Sequence, residues 1–140
     1  MKKSLKPLTE RELLAMPVDS YMNEQQLAFF RTRLDAQRAE ILANAVASEG
    51  HLHDDNDSVA DPVDRATLEE EHALELRVRD RERKLLKKIV AALGRIEDGS
   101  YGYCEETGEP IGLPRLLAKP QAEYCIEAQE RHEVKERQRA

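Results

Sequence analysis

Two cysteines stand at spacings that are typical of a zinc ribbon. The segments YCEETG and YCIEAQ each begin a C-x-x-C pattern, and about twenty residues separate the two patterns. Neither pattern is complete, because the four positions read Cys104, Thr107, Cys125 and Ala128. Zinc requires four ligands in a tetrahedron, which two thiolates, a hydroxyl and a methyl group do not supply. We therefore expect no zinc, unless a residue from elsewhere such as His132 joins the cysteines.

Two other interpretations of the cysteines remain open. They pack as small buried hydrophobic residues, or they form a regulatory disulfide with each other. A reducing compartment favours the first interpretation. In that case packing must hold this part of the fold together, through Tyr101, Tyr103, Ile111, Leu113, Leu116 and Ile126.

An acidic turn lies near the middle of the chain, in the segment SVADPVDRATLEEE. Asp61 and Asp64 stand on either side of Pro62, with helical sequence before and after them. From spacing alone, Asp64 is expected to cap the second helix, whose first turn attracts negative charge, and the alternative is that its carboxylate acts on a partner. Asp61 is then left exposed, and its carboxylate is able to reach basic groups or a bound magnesium ion.

A basic stretch, RVRDRERKLLKK, holds seven basic residues and two acidic ones. Arg77, Arg81, Lys84 and Lys88 recur along one helical face. Such ladders are usually solvated surfaces, but an excess of positive charge on an acidic protein indicates an anionic partner. Both interpretations remain open from spacing alone.

A third polar segment, HLHDDNDS, contains residue types that bind metals. It lacks hydrophobic framing, so we interpret it as a solvated loop rather than a metal site. The residues concerned are His51, His53, Asp54, Asp55 and Asp57.

The elements that position these residues are two long amphipathic helices. The first begins after Asn23, which forms a capping box with Gln26, and ends near Gly50. The second runs from Asp64 to about Asp98, and each apolar stripe buries itself against the other. This predicts an antiparallel coiled-coil hairpin with its tip near residues 58–66. The stripes comprise Leu27, Phe30, Leu34, Ile41 and Ala45 in the first helix and Leu68, Leu76, Leu86, Ile89, Leu93 and Ile96 in the second.

The remaining residues predict a small globular part, so that the fold is mainly α. Residues 1–22 form a loosely docked segment with about two helical turns. The hairpin occupies residues 23–98. A glycine-rich knuckle of turns and short strands occupies 99–121, and a helix from about Ala122 lies within 122–140.

Composition excludes several classes of function. A net charge of −6 argues against general DNA binding. No apolar run approaches the length of a membrane span, and the N-terminal lysines are not followed by the apolar stretch of a signal peptide, so we expect a cytoplasmic protein. We find no nucleophile–base set and no phosphate-binding loop, so we expect no enzyme activity.

Three segments resemble the DksA family of bacterial transcription regulators: YMNEQQLAFFRTRL, DPVDRATLEEEHALELRVRDRERKLLKKI and EDGSYGYC. The resemblance implies a protein that does not bind DNA but inserts its hairpin into the secondary channel of RNA polymerase. With the co-regulator ppGpp, such proteins repress ribosomal RNA promoters and assist some amino-acid biosynthesis promoters. The family's D-x-x-D-x-A tip motif stands here as Asp61, Asp64 and Ala66. The absence of the second cysteine from each pair resembles a zinc-free DksA paralogue. Such a paralogue would maintain regulation when zinc is scarce.

The resemblance also assigns a ppGpp-binding set. It comprises Arg81, Leu85, Lys88 and Lys119, which act together with the polymerase. Lys119 replaces the family's Arg and loses the bidentate fork, and Gln129 replaces a Lys. We therefore expect ppGpp synergy to persist in a weaker form, with no tightly bound cofactor.

Three alternatives stand beside this interpretation. A Gre-type transcript-cleavage factor also places an acidic hairpin tip in the secondary channel, where its acids hold a catalytic magnesium. A coiled-coil adaptor or homodimer would pair its helices between chains, whereas we expect a monomer. A dithiol switch would respond to oxidants through Cys104.

Overall fold

The structure is a computed structural model that describes residues 7–55 and 62–139, with side chains for 7–47 and 62–139. Its α-helices are α1 (Glu10–Ala15), α2 (Glu24–Asp55), α3 (Pro62–Asp98), α4 (Leu113–Ala118) and α5 (Ile126–Arg139), and a 3-10 turn covers Val18–Ser20. Within these ranges the β pairing is limited to an isolated antiparallel bridge between Tyr103 and Pro110. The prediction of a mainly α protein is confirmed, but the short strands expected in the knuckle are reduced to this bridge.

The chain divides into two compact units. One, here called the core unit, comprises Met1–Asp35 and Lys88–Ala140, and the other, the hairpin unit, comprises Ala36–Lys87. Helices α2 and α3 each contribute a segment to both units.

The start of α2 is fixed by the predicted capping box. The Asn23 Oδ1 atom accepts a hydrogen bond from the Gln26 N–H at 2.9 Å. The Gln26 Oε1 atom accepts one from the Met22 N–H, also at 2.9 Å. Gln26 is fully buried, so its polar atoms require these partners. Asn23 is confirmed as the N-cap, whereas the return bond of the predicted capping box goes from the Met22 N–H, rather than the Asn23 N–H, to Gln26.

The hydrophobic core of the core unit contains side chains from helices α1, α2, α3, α4 and α5 and from the knuckle. Aromatic packing lies at its centre, where the rings of Phe30 and Tyr101 are 5.6 Å apart. The fully buried apolar side chains are Leu13, Phe30, Leu34, Ile89, Ala92, Tyr101, Leu116 and Ala128.

The N-terminal segment is more firmly docked than we predicted. The Thr9 hydroxyl accepts a hydrogen bond from the Glu12 N–H and caps α1. Leu13 is completely buried, and Glu10 forms an ion pair with Arg33 at 2.6 Å. A short helix gains stability from such contacts rather than from its own propensity.

In the hairpin unit, α2 and α3 lie side by side and run in opposite directions. Ile41 and Ala45 of α2 line one groove together with Arg79, Arg83 and Leu86 of α3. In the core unit the two helices are also in contact, since Arg31 of α2 forms an ion pair with Glu97 of α3. The predicted antiparallel pairing of the helices is confirmed, although Leu76, predicted to lie in the seam, is 56% exposed.

Three predicted helix boundaries are wrong. Helix α2 continues through Gly50 to Asp55, since a helical glycine weakens a helix by only about 1 kcal/mol. Helix α3 begins at Pro62, where proline suits the first position. Helix α5 begins at Ile126, and the preceding segment from Ala122 is irregular.

No helix in the described ranges is long and apolar enough to cross a membrane.

Candidate functional site

The predicted tip motif is described in part. Asp61 lies outside the described residues, whereas Asp64 and Ala66 lie in the first turns of α3 and are exposed. Because the helix begins two residues before Asp64, the prediction that Asp64 is the N-cap is wrong. Its carboxylate still lies in the first turn, where the helix dipole favours negative charge. The carboxylate therefore remains available to a partner.

The predicted ppGpp-binding residues are divided between the two units. In the hairpin unit, Arg81 is exposed and Leu85, one turn further along α3, is half-buried. In the core unit, Lys88 and Lys119 are both exposed. Lys119 ends α4, where its N–H donates to the Arg115 carbonyl.

The polar segment before the tip is not the loop that we predicted. Residues 51–55 continue α2, so His51, His53, Asp54 and Asp55 belong to a helix. Their side chains, and Asp57, lie outside the described residues. The interpretation of this cluster as solvated is therefore still a prediction.

The knuckle is a compact set of turns around Cys104. The Cys104 N–H donates to the Glu109 carbonyl at 2.7 Å, and the Gly108 N–H donates to the Cys104 carbonyl at 2.8 Å. Gly102 has a positive φ of 92°, and a Cβ atom there would lie 2.6 Å from the Met22 side chain. Glycine is thus required at Gly102 for both its conformation and its close approach.

The Cys104 thiol lies in a cradle of hydrogen-bond donors. It is 2% exposed, and the Thr107 hydroxyl and the backbone N–H groups of Cys125, Thr107 and Glu106 lie near its sulfur and favour the thiolate. Burial raises the pKa of this thiol, but the four donors together outweigh burial and lower the pKa from 9.0 to about 7. Both cysteines are buried free thiols, as the first interpretation predicts, but Cys104 is more than a small hydrophobic residue.

The four positions of the zinc-ribbon pattern do not fit a zinc ion. Ala128 is completely buried and offers only a methyl group. His132, the possible replacement ligand, is 2.8 Å from Glu106 and stacks on Tyr124 with ring centroids 4.3 Å apart. Across the described ranges, no group of three or more His, Cys, Asp or Glu side chains is placed to hold a metal. A tetrahedral site cannot be completed from these residues.

Other contacts hold the knuckle in place, and our sequence reasoning missed them. The Tyr21 hydroxyl donates to the Gly102 carbonyl at 2.6 Å and accepts from the Gly112 N–H at 3.0 Å. The Tyr101 hydroxyl donates to the Pro120 carbonyl at 2.8 Å. These partners are 81, 91 and 19 residues apart, so no local pattern in the sequence predicts them.

A second missed contact ties α5 to the knuckle. The Glu106 carboxylate contacts both Arg131, at 3.4 Å, and His132. Partial burial raises the pKa of Glu106, but the hydrogen bond from His132 and the Arg131 charge bring it below its ordinary value. The glutamate therefore favours its charged form beside Arg131 and the His132 ring.

Comparisons with known proteins identify the family of this chain. Residues 26–96 match the family model described as the N-terminal domain of DnaK suppressor protein DksA. Residues 99–134 match the model of the prokaryotic dksA/traR C4-type zinc finger, although two of the four cysteines are absent here.

Relatives and solved structures agree with this match. The RNA polymerase-binding transcription factor DksA of Caulobacter vibrioides is 55% identical over 119 residues, covering 85% of this chain and 84% of the relative. The protein of the same name from Escherichia coli K12 is 48% identical over 124 residues, covering 89% and 82%.

A solved structure of transcription factor DksA2 from Pseudomonas aeruginosa superposes with a TM-score of 0.80 at 49% identity. The superposition covers 92% of this chain and 99% of the DksA2 chain. The structure of an RNA polymerase binding protein and transcriptional regulator from Chlamydia trachomatis superposes with a TM-score of 0.51 at 28% identity, covering 80% and 92%. This chain therefore belongs to the DksA family.

Proposed function

We propose that this protein is a monomeric, cytoplasmic regulator of transcription that binds RNA polymerase through its secondary channel and does not bind DNA. The observation that carries the proposal is the similarity along most of the chain to relatives named as RNA polymerase-binding factors. The exposed Asp64 and Ala66 at the start of α3 support the proposal, because they keep the tip motif available to a partner. The net charge of −6 supports the absence of DNA binding.

The tip residues Asp61, Asp64 and Ala66 act on the polymerase in this proposal. The test is transcription in vitro from a ribosomal RNA promoter with the native chain and with Asp64→Asn. We expect the substitution to abolish repression, because it removes charge without changing size. Glu70→Gln is the matched control, since Glu70 is an exposed acid on the same helix. Equal loss of repression in both variants would contradict a specific role for the tip.

We further propose that ppGpp strengthens repression of these promoters and the assistance of amino-acid biosynthesis promoters. Arg81, Leu85, Lys88 and Lys119 are the residues on which this response depends. The exposure of three cationic side chains among them supports the proposal, because a polyphosphate is bound through charge-assisted hydrogen bonds.

The expected result is that Lys88→Ala removes the ppGpp response and leaves repression without ppGpp intact. Transcription assays with and without ppGpp measure both quantities. Lys84→Ala is the control, because Lys84 is an exposed lysine of the same helix that pairs with Asp80 at 3.3 Å. Lys119→Arg should strengthen the response by restoring a bidentate donor. A full ppGpp response in Lys88→Ala would contradict the assignment.

We also propose that the protein acts without zinc, as a zinc-free paralogue within the family. The buried methyl group of Ala128 and the hydrogen bonds around Cys104 support this. A strong chelator should leave the thermal melting temperature and the repression unchanged. The control is a four-cysteine relative, which should lose stability under the same treatment. A chelator-induced loss of stability in this chain would contradict zinc independence.

A further inference from the structure

The two units differ in how many of their described side chains are buried. Every described side chain that is buried belongs to the core unit, and none lies in residues 36–47 or 62–87 of the hairpin unit. Burial of apolar surface supplies most of the free energy that holds helices together. Across residues 36–47 and 62–87, the helix pairing is thus weakly stabilised by its own packing.

The positions where α3 is partly covered in the hairpin unit are largely ionisable. Of the seven half-buried residues between Pro62 and Lys87, four are His72, Glu75, Arg79 and Glu82. Charged groups lose hydration when a helix pair closes over them, which reduces the gain from closing. In the core unit, the corresponding positions of α3 are the buried Ile89 and Ile96.

Two enclosed polar atoms in the hairpin unit also lack hydrogen-bond partners within the described protein. They are the Oε1 atom of Gln37 and the Nε2 atom of His72. An enclosed polar atom without a partner destabilises the closed pair relative to an open one, in which water reaches the atom.

The hairpin unit nevertheless exposes aliphatic side chains. Six of the twelve large hydrophobic residues that are well exposed among the described residues lie in it, although it is the smaller unit. They are Leu42, Val46, Val63, Leu74, Leu76 and Val78, between 40% and 73% exposed. Contact with another molecule would remove these side chains from water and stabilise the helix pair.

From these observations we propose that residues 36–47 and 62–87 of the hairpin unit are conditionally ordered. They open locally while the core unit stays folded, and the partner that covers their aliphatic side chains closes them. The identity of that partner rests on the proposed function, and we commit to RNA polymerase. Four of the six exposed aliphatic residues, Val63, Leu74, Leu76 and Val78, lie on the same helix as Asp64 and Ala66, so the partner that binds the tip also lies next to them. Local opening itself does not depend on the polymerase.

Hydrogen–deuterium exchange of the full free chain tests the local opening. Amides in residues 36–47 and 62–87 should exchange at least about 100-fold faster than those in residues 30–34 and 89–96, because they open without global unfolding. The same exchange rate in both sets of amides would overturn the proposal, since it would show a single cooperative structure.

A substitution in the seam sharpens this test. Gln37→Leu replaces the unpartnered amide with an aliphatic group and should slow exchange in the hairpin unit about tenfold, with no change in the core unit. Arg38→Leu adds the same side chain at the next position, which is exposed, and should change neither unit. Equal slowing of both units by Gln37→Leu would overturn the proposal.

Adding RNA polymerase core enzyme distinguishes the two parts of the proposal. We expect protection of the hairpin unit to rise to the level of the core unit when the complex forms. Fast exchange in the free chain together with no binding would overturn the proposed function and the choice of partner. If the complex forms and the amides of the hairpin unit still exchange fast, the proposal that the partner closes this unit is overturned.

Discussion

At the scale of single residues, Cys104 has a thiol whose pKa is lowered by nearby hydrogen-bond donors. The Thr107 hydroxyl and the Cys125 N–H are two of these donors. The position of Thr107 in the pattern was visible in the sequence. The hydrogen bonds to the sulfur were not, because they depend on the turn geometry of two segments about twenty residues apart.

The lowered pKa of Cys104 predicts a rise in stability with pH. The folded chain releases the thiol proton near pH 7 and the unfolded chain near pH 9.0. Between these values the unfolded state binds more protons, so the free energy of unfolding increases as the pH rises. The contribution is complete above pH 9.0 and is lost as the pH falls through about 7. Urea unfolding at both pH values measures it.

Two variants show whether the rise belongs to Cys104. Cys104→Ser removes the thiol and should abolish the part of the rise that it causes. Cys125→Ser keeps the backbone N–H that bonds to the Cys104 sulfur and should preserve the rise. An unchanged rise in Cys104→Ser would contradict the assignment.

At the scale of elements, local signals predicted the helices better than their ends. The capping residues Asn23 and Gln26 fixed the start of α2, since their hydrogen bonds span three or four residues. Gly50 gave a false end, because a glycine ends a helix only when the following structure uses its left-handed conformation. The flanking aspartates predict a turn at Pro62, although this residue begins α3.

Gly94 of α3 and Gly102 of the knuckle lie in different surroundings, which predicts different effects of alanine at the two positions. Gly94 lies inside α3, and a Cβ atom there would meet nothing within 4 Å. Gly94→Ala should therefore stabilise the protein by about 0.5–1 kcal/mol, because alanine loses less backbone entropy in a helix. Thermal unfolding measures the change.

Gly102 is the matched comparison for this substitution. Its positive φ and its approach to Met22 leave no space for a methyl group, so Gly102→Ala should lower the melting temperature. A similar effect of both substitutions would contradict the structural difference between these positions.

At the scale of the whole molecule, the sequence indicated the helical hairpin, and its resemblance to a known family indicated a polymerase partner. It did not indicate that burial is concentrated in one unit, because apolar residues such as Leu42 and Leu76 follow helical spacing whether or not they are covered. It also did not indicate the Tyr21 and Glu106 contacts, which join distant segments. Long-range packing therefore accounts for most of what the sequence left undetermined.

The most direct test of the account is crosslinking from the tip to RNA polymerase. A photoreactive amino acid in place of Ala66 should crosslink to polymerase subunits beside the catalytic centre, and a transcript-cleavage factor that occupies the secondary channel should suppress the crosslink. The same group in place of Val134, an exposed residue of α5, serves as the control and should not reach the catalytic centre. Failure to bind the polymerase, or crosslinks from Ala66 only to its outer surface, would contradict the account.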